Sequence, residues 1–591
     1  MSNVGGALGG RCMLAVLCAG LCCAQSTPEV SSQETPVTFS SRVNLVSVPV
    51  VVRDREGRAL GKLKQEDFQL FDKNKLQVIT KFSIEQSGSE MTQPAPSAGA
   101  GEQTQAAPVK SVLPDRYVAY LVDDVHLLTS DLLQMRQSMN RHLDESQDPT
   151  TRSAIFVASG RMLTEFTADR EKLHRAINSI QPWTSGPDPQ QDCPHMTYYT
   201  ADLLVNKLLY LDGILFTDDQ LSILYSHNQL DQAMVAEIAD TQLCGVESVG
   251  SKNMATGVAD PMVDVIRQVR KEARLVLTYG DRETNLTLGA IEDVVSRISA
   301  VPGSRTIVLV SPGFLLTRDH RSHEYAALDR AIRANVTVNT LDIRGLYTSF
   351  AGGDASHRVE AAGESSAAFL ADDVLAEVAD GTGGKFFHNS NDLQAGLNQL
   401  AARPEYVYVL GFSPDNLKFD GSYHTLKVSV RNASGATLQV RRGYWAPNHA
   451  VDPAEQATEE IREAVFSREE NRDIPVDLQT EFFDAGGQNF ELTVSSRLDV
   501  KDLKFRKAED RNNDTLTVVT GLFDPNGNYV AGIQRVVGLH LRDQTLQAVR
   551  NTGINVKESF KVPPGRYIVR VVVRDAEGKS ITARNGGVEI P

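Results

Sequence analysis

Between residues 117 and 388 the chain alternates strand-length apolar runs with amphipathic helical patterns, and no other feature restricts its fold as much. Tyr117–Val122 (YVAYLV), Ser153–Ala158 (SAIFVA) and Thr306–Val310 (TIVLV) are too short for helices and too uniformly apolar for a half-exposed sheet, and Val336–Ile343 (VTVNTLDI) is a fourth strand pattern. Such runs belong to strands covered on both faces. Between them, Asp131–Asp144 sets Leu132, Met135, Met139 and Leu143 at helical spacing, and Ala168–Ile180 does the same with Leu173, Ala176, Ile177 and Ile180. Further helical patterns cover Pro261–Tyr279, Leu286–Ala300, Tyr325–Ala334 and Asp372–Asp380. The last stops at Gly381-Thr382-Gly383-Gly384, a helix C-cap turn rather than a phosphate loop, because it follows a helix and precedes a strand. Strand, helix, strand in this order predicts a parallel sheet flanked by helices.

The flanks read differently. Val43–Val52, Asp67–Phe71 and Val78–Ile84 are short strand patterns in a segment too small to hold a core by itself. Residues 87–112 are rich in Ser, Gly, Ala, Pro, Gln and Thr, the composition of a flexible linker. After Glu405 the strand pattern returns with YVYVLGF, His424–Arg431 and Thr437–Arg442, and the basic pair Arg441-Arg442 is expected to face solvent. We therefore expect residues 38–86 and 404–448 to pair into one β-sandwich interrupted by an α/β domain at 113–403. A helical linker at 449–475 and a C-terminal β-sandwich at 476–591 complete the expectation. A chain of 591 residues calls for three to four such cores.

Arg11 precedes an apolar run, Met13–Ala24, and then Gln25-Ser26-Thr27, the layout of a signal peptide spanning residues 1–24. An exported protein, periplasmic or extracellular, is expected, with no transmembrane segment because the run is too short to cross a bilayer. Four of the six cysteines lie in that leader, which leaves Cys193 and Cys244. Export permits a disulfide between them, and closing a loop of about 50 residues would contribute about 4 kcal/mol in the chain-entropy picture. The formal net charge of −15 opposes binding to nucleic acid.

YLVDD at 120–124, RTIVLVSPGF at 305–314, ANVTVNTLDIRGL at 334–346 and ADGTGGKFFHNSNDL at 379–393 resemble a von Willebrand factor A-type domain. Val48–Gly57 (VxVxVxD-x-x-G), Leu63–Phe82 (LxxxDFxLxxxxxxQxIxxF) and the Tyr408–Pro447 tail narrow the likeness to the exported von Willebrand A-related proteins of Acidobacteria. The resemblance implies a doubly wound α/β domain flanked by β-sandwich, Ig-like domains, with its ligand site at the carboxyl ends of the strands.

In such domains a divalent cation, Mg²⁺ or Mn²⁺, is held by a D-x-S-x-S loop, a Thr from a second loop and an Asp from a third. Here Asp123 matches, but Val125 and Leu127 replace both serines, and Ser311-Pro312-Gly313 stands where Asp-Gly is expected. Thr197 and Thr200 are candidates for the second-loop Thr. Asp123, Asp124 and Ser311 are thus candidate ligands of a degenerate cation site, with His126, Thr197 and Thr200 at the ligand edge. The other reading of these residues is a hydrogen-bonded strand-end turn. Residues 185–260 carry YYTADLLVNKLLYLDGILF and LSILYSHNQLDQAMVAEIA, two amphipathic helical patterns forming an insertion beside that edge, either packed on the domain or capping it for a partner.

His320, His323 and Glu324 form the one further metal-like grouping, but with no His four positions after His323 the zinc-protease pattern fails. No nucleophile elbow or phosphate loop accompanies them. The expectation is a non-enzymatic protein-interaction or adhesion module with unidentified protein partners and no firm cofactor. A metal-dependent hydrolase using His320, His323 and Glu324, and a purely structural envelope protein, are the alternatives.

Overall fold

The computed structural model describes residues 29–36, 46–55, 58–86, 114, 116–146, 150–183, 196–208, 210–211, 214–229, 231–244, 261–346, 360–402, 404–414, 421–431, 435–446, 453–466, 473–484 and 490–591. The expected signal peptide at 1–24, the expected linker at 87–112 and Cys193 lie outside them. Elements are numbered within the α/β domain: β1 (Arg116–Val122), α1 (Thr129–Ser146), β2 (Thr151–Val157), β3 (Met162–Thr167) and α2 (Arg170–Ser179) come first. The insertion holds α3 (Tyr198–Leu203), α4 (Asp218–Ser226) and α5 (Gln232–Leu243). Then follow α6 (Pro261–Ile298), β4 (Ser304–Ser311), α7 (Arg321–Arg333), β5 (Val336–Asp342), α8 (Glu360–Thr382), β6 (Phe386–Phe387) and α9 (Leu393–Leu400).

The sheet order is β6-β5-β4-β1-β2-β3, parallel throughout except for β3. Side chains alternate across a strand, so each strand feeds two cores. Tyr117, Ala119 and Leu121 of β1 and Ile307 and Leu309 of β4 pack with Leu288, Ile291 and Val295 of α6, Ala327 and Leu328 of α7 and Val374 and Leu375 of α8. Val118, Tyr120, Val122, Val308 and Val310 face the other way, onto Met135, Met139 and Leu143 of α1, Leu173 and Ile177 of α2, and Leu393 and Leu397 of α9. Each side chain of this size, fully buried, contributes roughly 1.5–3 kcal/mol. That double coverage is the reason the strands read as continuous apolar runs.

Two four-stranded sheets stand beside this domain. One orders Thr437–Val440, Val46–Arg53, Tyr406–Phe412 and Lys81–Gln86; the other orders Gly443–Trp445, Tyr423–Val430, Phe68–Asp72 and Lys75–Gln77. Every pairing within them other than Phe68–Asp72 with Lys75–Gln77 and Tyr423–Thr425 with Gly443–Trp445 joins chain from before the α/β domain to chain from after it. Val48, Val50, Leu70, Tyr408 and Phe412 share their core.

Four expectations change. Pro261–Ile298 is one 38-residue helix, not two. Within it a Cβ at Gly280 would come within 2.2 Å of the Tyr198 ring, so this glycine is the seat on which α3 rests. In the insertion, YYTADLLVNKLLYLDGILF is not a single helix: α3 and one π-helical turn, Leu204–Leu208, give way to a short antiparallel pair, Tyr210–Leu211 with Ile214–Leu215. The segment 449–475 is not a linker, because helix Pro453–Phe466 buries Ile461, Val465 and Phe466 on the C-terminal sheet against Val519, Phe523, Ile568 and Val572. Finally, Arg441 is buried, 4% exposed, with Nη1 donating to Ile332 O of α7 at 3.3 Å, since the neighbouring domain covers it; only Arg442 is exposed, paired with Asp380.

The C-terminal domain packs a three-stranded sheet (Val476–Asp484, Phe490–Leu498, Ile554–Val562) on a six-stranded one, with Leu492, Val518, Leu539 and Val569 between them. Its outermost strand is Val30–Pro36, from the other end of the chain, paired with Ile533–Leu539. Residues 30–36, ahead of the split sandwich, are therefore part of the C-terminal sheet. This domain meets the α/β domain at the amino ends of the strands: Arg305 Nη2 donates to Phe466 O at 3.1 Å and Arg152 Nε to Asn526 Oδ1 at 3.0 Å. The carboxyl ends point away from that contact.

Candidate functional site

Chain order reverses between β1 and β4: from β1 the chain moves outward to β2 and β3, then returns to β4 on the other side of β1. Open α/β sheets form their crevice at that point, outside the carboxyl ends. Asp123 follows β1 there and Ser311 ends β4, both 0% exposed.

The two side chains meet directly, with Ser311 Oγ donating to Asp123 Oδ2 at 2.7 Å and itself accepting from Gly313 N–H at 2.9 Å. His126 supplies two more donors. Its backbone N–H reaches Asp123 Oδ1 at 3.2 Å, and Nδ1 lies 3.0 and 2.9 Å from the two oxygens, which requires the proton on Nδ1. Thr287 of α6 adds a longer contact, 3.4 Å to Oδ1. Burial pushes the Asp123 carboxyl up, but the His126 charge and the hydrogen bonds from His126 and Ser311 outweigh it and hold the group below its ordinary value. Burial lowers His126 in turn, and the charges of Asp123, Glu283 and Asp124 raise it on balance. The ring stacks on Phe314 with centroids 5.6 Å apart.

Asp124 is turned away from this pair. Ser159, just past β2, donates to it from its N–H at 2.8 Å and its hydroxyl at 2.7 Å, with Arg161 at 3.9 Å. Burial raises its carboxyl despite those donors, and Asp123 adds to the rise. Val125 packs in the core on the α6 face and Leu127 in the core on the α1 face. Where a D-x-S-x-S loop would aim hydroxyls at a cation, this loop anchors itself in both cores.

Thr197 and Thr200 are placed elsewhere. Thr197 caps α3, accepting from Thr200 N–H at 3.1 Å, and the two hydroxyls lie 2.9 Å apart. Tyr198 beside them donates to Asp281 of α6 at 2.7 Å. The insertion has a core of its own, Met196, Ala201, Leu204, Leu221, Met234 and Ile238 on Val265, Ile266 and Val269 of α6. Cys244 ends α5 and is disulfide-bonded; the other cysteines, and with them the pairing to Cys193, lie outside the described residues.

His320, His323 and Glu324 do not converge. His320 Nδ1 is 2.8 Å from Thr317 Oγ1 and its Nε2 3.2 Å from Asn285 Nδ2, while His323 Nδ1 meets Asn285 Oδ1 at 3.1 Å. Glu324 faces the other way, taking Arg321 Nη1 at 3.0 Å, and Arg321 in turn reaches Glu377 of α8 at 2.6 Å. Burial and the Glu377 charge push Glu324 up to about 7. Among the described residues no group of three or more His, Cys, Asp or Glu is placed to hold a metal ion.

Sequence reasoning missed Thr287, Ser159 and a second closed group at the same edge. Asp342, ending β5, takes Arg344 Nε at 2.9 Å on one oxygen and Nη2 at 2.9 Å on the other, and Arg344 also pairs with Asp372 of α8. Asp342 carried a signal as the polar end of an apolar strand; Thr287 and Ser159 carried none.

No family model and no curated protein matches the chain. Among solved structures it is similar to an aerotolerance-related membrane protein from Bacteroides fragilis, at 12% identity and TM-score 0.20, covering 48% of this chain and 97% of that one. BatB from Bacteroides thetaiotaomicron gives 12% and 0.20, covering 48% and 96%, and the TFIIH p34 N-terminal domain gives 13% and 0.17, covering 49% and 97%. Likenesses at these TM-scores carry no argument, and the fold rests on the sheet order and register above. Among the described residues, no helix is long and apolar enough to cross a membrane.

Proposed function

We propose that the chain is an exported, non-enzymatic protein-interaction or adhesion module built on a von Willebrand A-type α/β domain whose cation site is degenerate. The observation that carries this reading is the state of the Asp123 carboxylate: His126, Ser311 and Thr287 occupy its oxygens with donors from the protein itself. A carboxylate has about four acceptor positions, and a buried one already taking donors from His126, Ser311 and Thr287 has little left to offer a metal ion. A hydrolase centred on His320, His323 and Glu324 is disfavoured by the opposed directions of those side chains. Recognition would then fall to the surface of the carboxyl edge and its helical insertion.

The test is capture from envelope extract with the full chain, compared with two folded variants. Asp123→Ala with Asp124→Ala alters the closed network, and Arg282→Glu alters the exposed guanidinium that lies 5.4 Å over the Trp183 ring at the same edge. A partner held by the wild type and lost in Arg282→Glu supports the edge as the interface. Capture that is equal in both variants moves the reading to a structural envelope protein. The tight docking of the α/β domain against both neighbours, through Arg305 to Phe466 and the Tyr325–Trp445 contact, favours that as the second reading.

A further inference from the structure

The strand Val30–Pro36 is attached to the C-terminal sheet in an unusual manner. Its residues Val30 to Glu34 are all exposed, Val30 by 51%, so none of these side chains enters the sandwich core. What holds it is a seven-residue antiparallel register, Val30 with Leu539 through Pro36 with Ile533, and charges at its two ends. Glu29 lies 3.2 Å from Arg542 Nε and 3.8 Å from Arg511 Nη1, with its carbonyl taking His540 N–H at 2.8 Å. Glu34 takes Arg535 Nη2 at 2.7 Å. Backbone ladders and surface ion pairs of this kind open locally without unfolding a core.

Beneath it, Tyr529–Leu541 is a strand of 13 residues bound on its inner side to Arg511–Phe523. Without Val30–Pro36 its outer side would be a row of unpaired backbone groups, a ready template for another strand. The segment that fits those groups in register, with acids placed for Arg535, Arg511 and Arg542, is residues 29–36, and every copy of the chain carries it. Pro36 is joined to the split sandwich at Val46 by residues 37–45, which can span no more than about 30 Å. The strand therefore belongs by sequence to one body and by pairing to another, the arrangement from which identical elements are exchanged between protomers at low cost.

We propose that residues 29–36 are an exchangeable strand, and that in a second state the strand of one copy completes the C-terminal sheet of another. All pairings and ion pairs are the same in both states, so concentration decides between them.

The experiment mixes two full-length variants, one carrying Gln33→Cys and the other Val536→Cys, residues that face each other in the register. A disulfide between positions 33 and 536 can then form only between copies, and peptide mass spectrometry identifies it. A single chain carrying both substitutions is the control that the pair can link. The expected result is a 33-to-536 covalent dimer in the mixture, its fraction rising about tenfold for each tenfold rise in concentration while dilute. Linkage in the double variant with no such dimer in the mixture, at any concentration or incubation time, would overturn the proposal. Failure of the double variant to link would also count against it, since it would deny the register on which the exchange depends.

Discussion

Two buried acids, Asp123 at the end of β1 in the α/β domain and Glu558 in the C-terminal sandwich, sit in opposite surroundings. At the end of β1, Asp123 is fully enclosed among donors and its charge is favoured. In the sandwich, Glu558 is 3% exposed, neither of its oxygens has a hydrogen-bond partner, and Arg535 comes only to 3.5 Å of it. Burial pushes it up to about 7. Asp514 is similar: burial and the facing Asp575 raise it to about 7, and its Oδ2 is left without a donor. The difference teaches that burial alone does not set the state of an acid: donors together with a positive partner outweigh it at Asp123, whereas at Asp124 donors alone do not. In the α/β domain the buried charge organises the strand ends. In the sandwich the buried acid is a load that grows as the pH rises.

The comparison can be broken most severely at Asp123. Asp123→Ala leaves the His126 imidazole and the Ser311 hydroxyl facing an empty space, and should cost about 3–5 kcal/mol in urea unfolding of the α/β domain. A loss under 1 kcal/mol would mean that the network is not what holds the strand ends. The pH-dependent contributions of Asp123 and of the two sandwich acids should differ in sign. Asp123 is ionised in the fold below its unfolded value, so its contribution is present above that value and is lost as the pH falls through its folded one. Glu558 and Asp514 are neutral in the fold where the unfolded chain is ionised, so each removes up to about 3–4 kcal/mol progressively between pH about 4 and about 7. Glu558→Gln should flatten the stability profile across that window by about 1.4 kcal/mol per pH unit at most, with little change below pH 4. An unaltered slope would remove the sandwich side of the comparison.

A smaller effect tests how the insertion closes the edge. Gly280→Ala should add up to about 1 kcal/mol to an isolated helix, but here it meets the Tyr198 ring, so a net loss of about 1–3 kcal/mol is expected from thermal unfolding. A gain would mean that α3 does not rest on α6. Smallest of all, Glu34→Ala should change global stability by under 1 kcal/mol, because its pair with Arg535 is at the surface.

Much of the α/β domain was legible because its strands are covered on both faces and their runs are unmistakable. Asp123 and Ser311 could be picked out as the polar residues ending two of those runs. Their partners could not: Thr287 comes from the middle of a helix and Ser159 from beyond β2, and neither position differs locally from any exposed Ser or Thr. Val30–Pro36 (VSSQETP) has no apolar pattern because its pairing uses backbone alone. Helix Pro453–Phe466 hid its apolar stripe of Ile461, Val465 and Phe466 among glutamates, and the burial of Arg441 depends on a neighbouring domain. The two helical patterns Pro261–Tyr279 and Leu286–Ala300 are one helix, and Gly280 within it leaves room for the Tyr198 ring. In each case the missing information was a contact between segments far apart in the chain.

The central claim is that the Asp123 carboxylate is satisfied by His126 and by hydroxyls of the protein itself, at the carboxyl edge of the sheet. Titration of the chelator-treated full-length protein with Mg²⁺ and Mn²⁺, followed by calorimetry and by the melting temperature, tests it most directly. The account predicts no saturable heat and an unchanged melting temperature at millimolar metal. Stoichiometric binding that disappears in Asp123→Asn would contradict it.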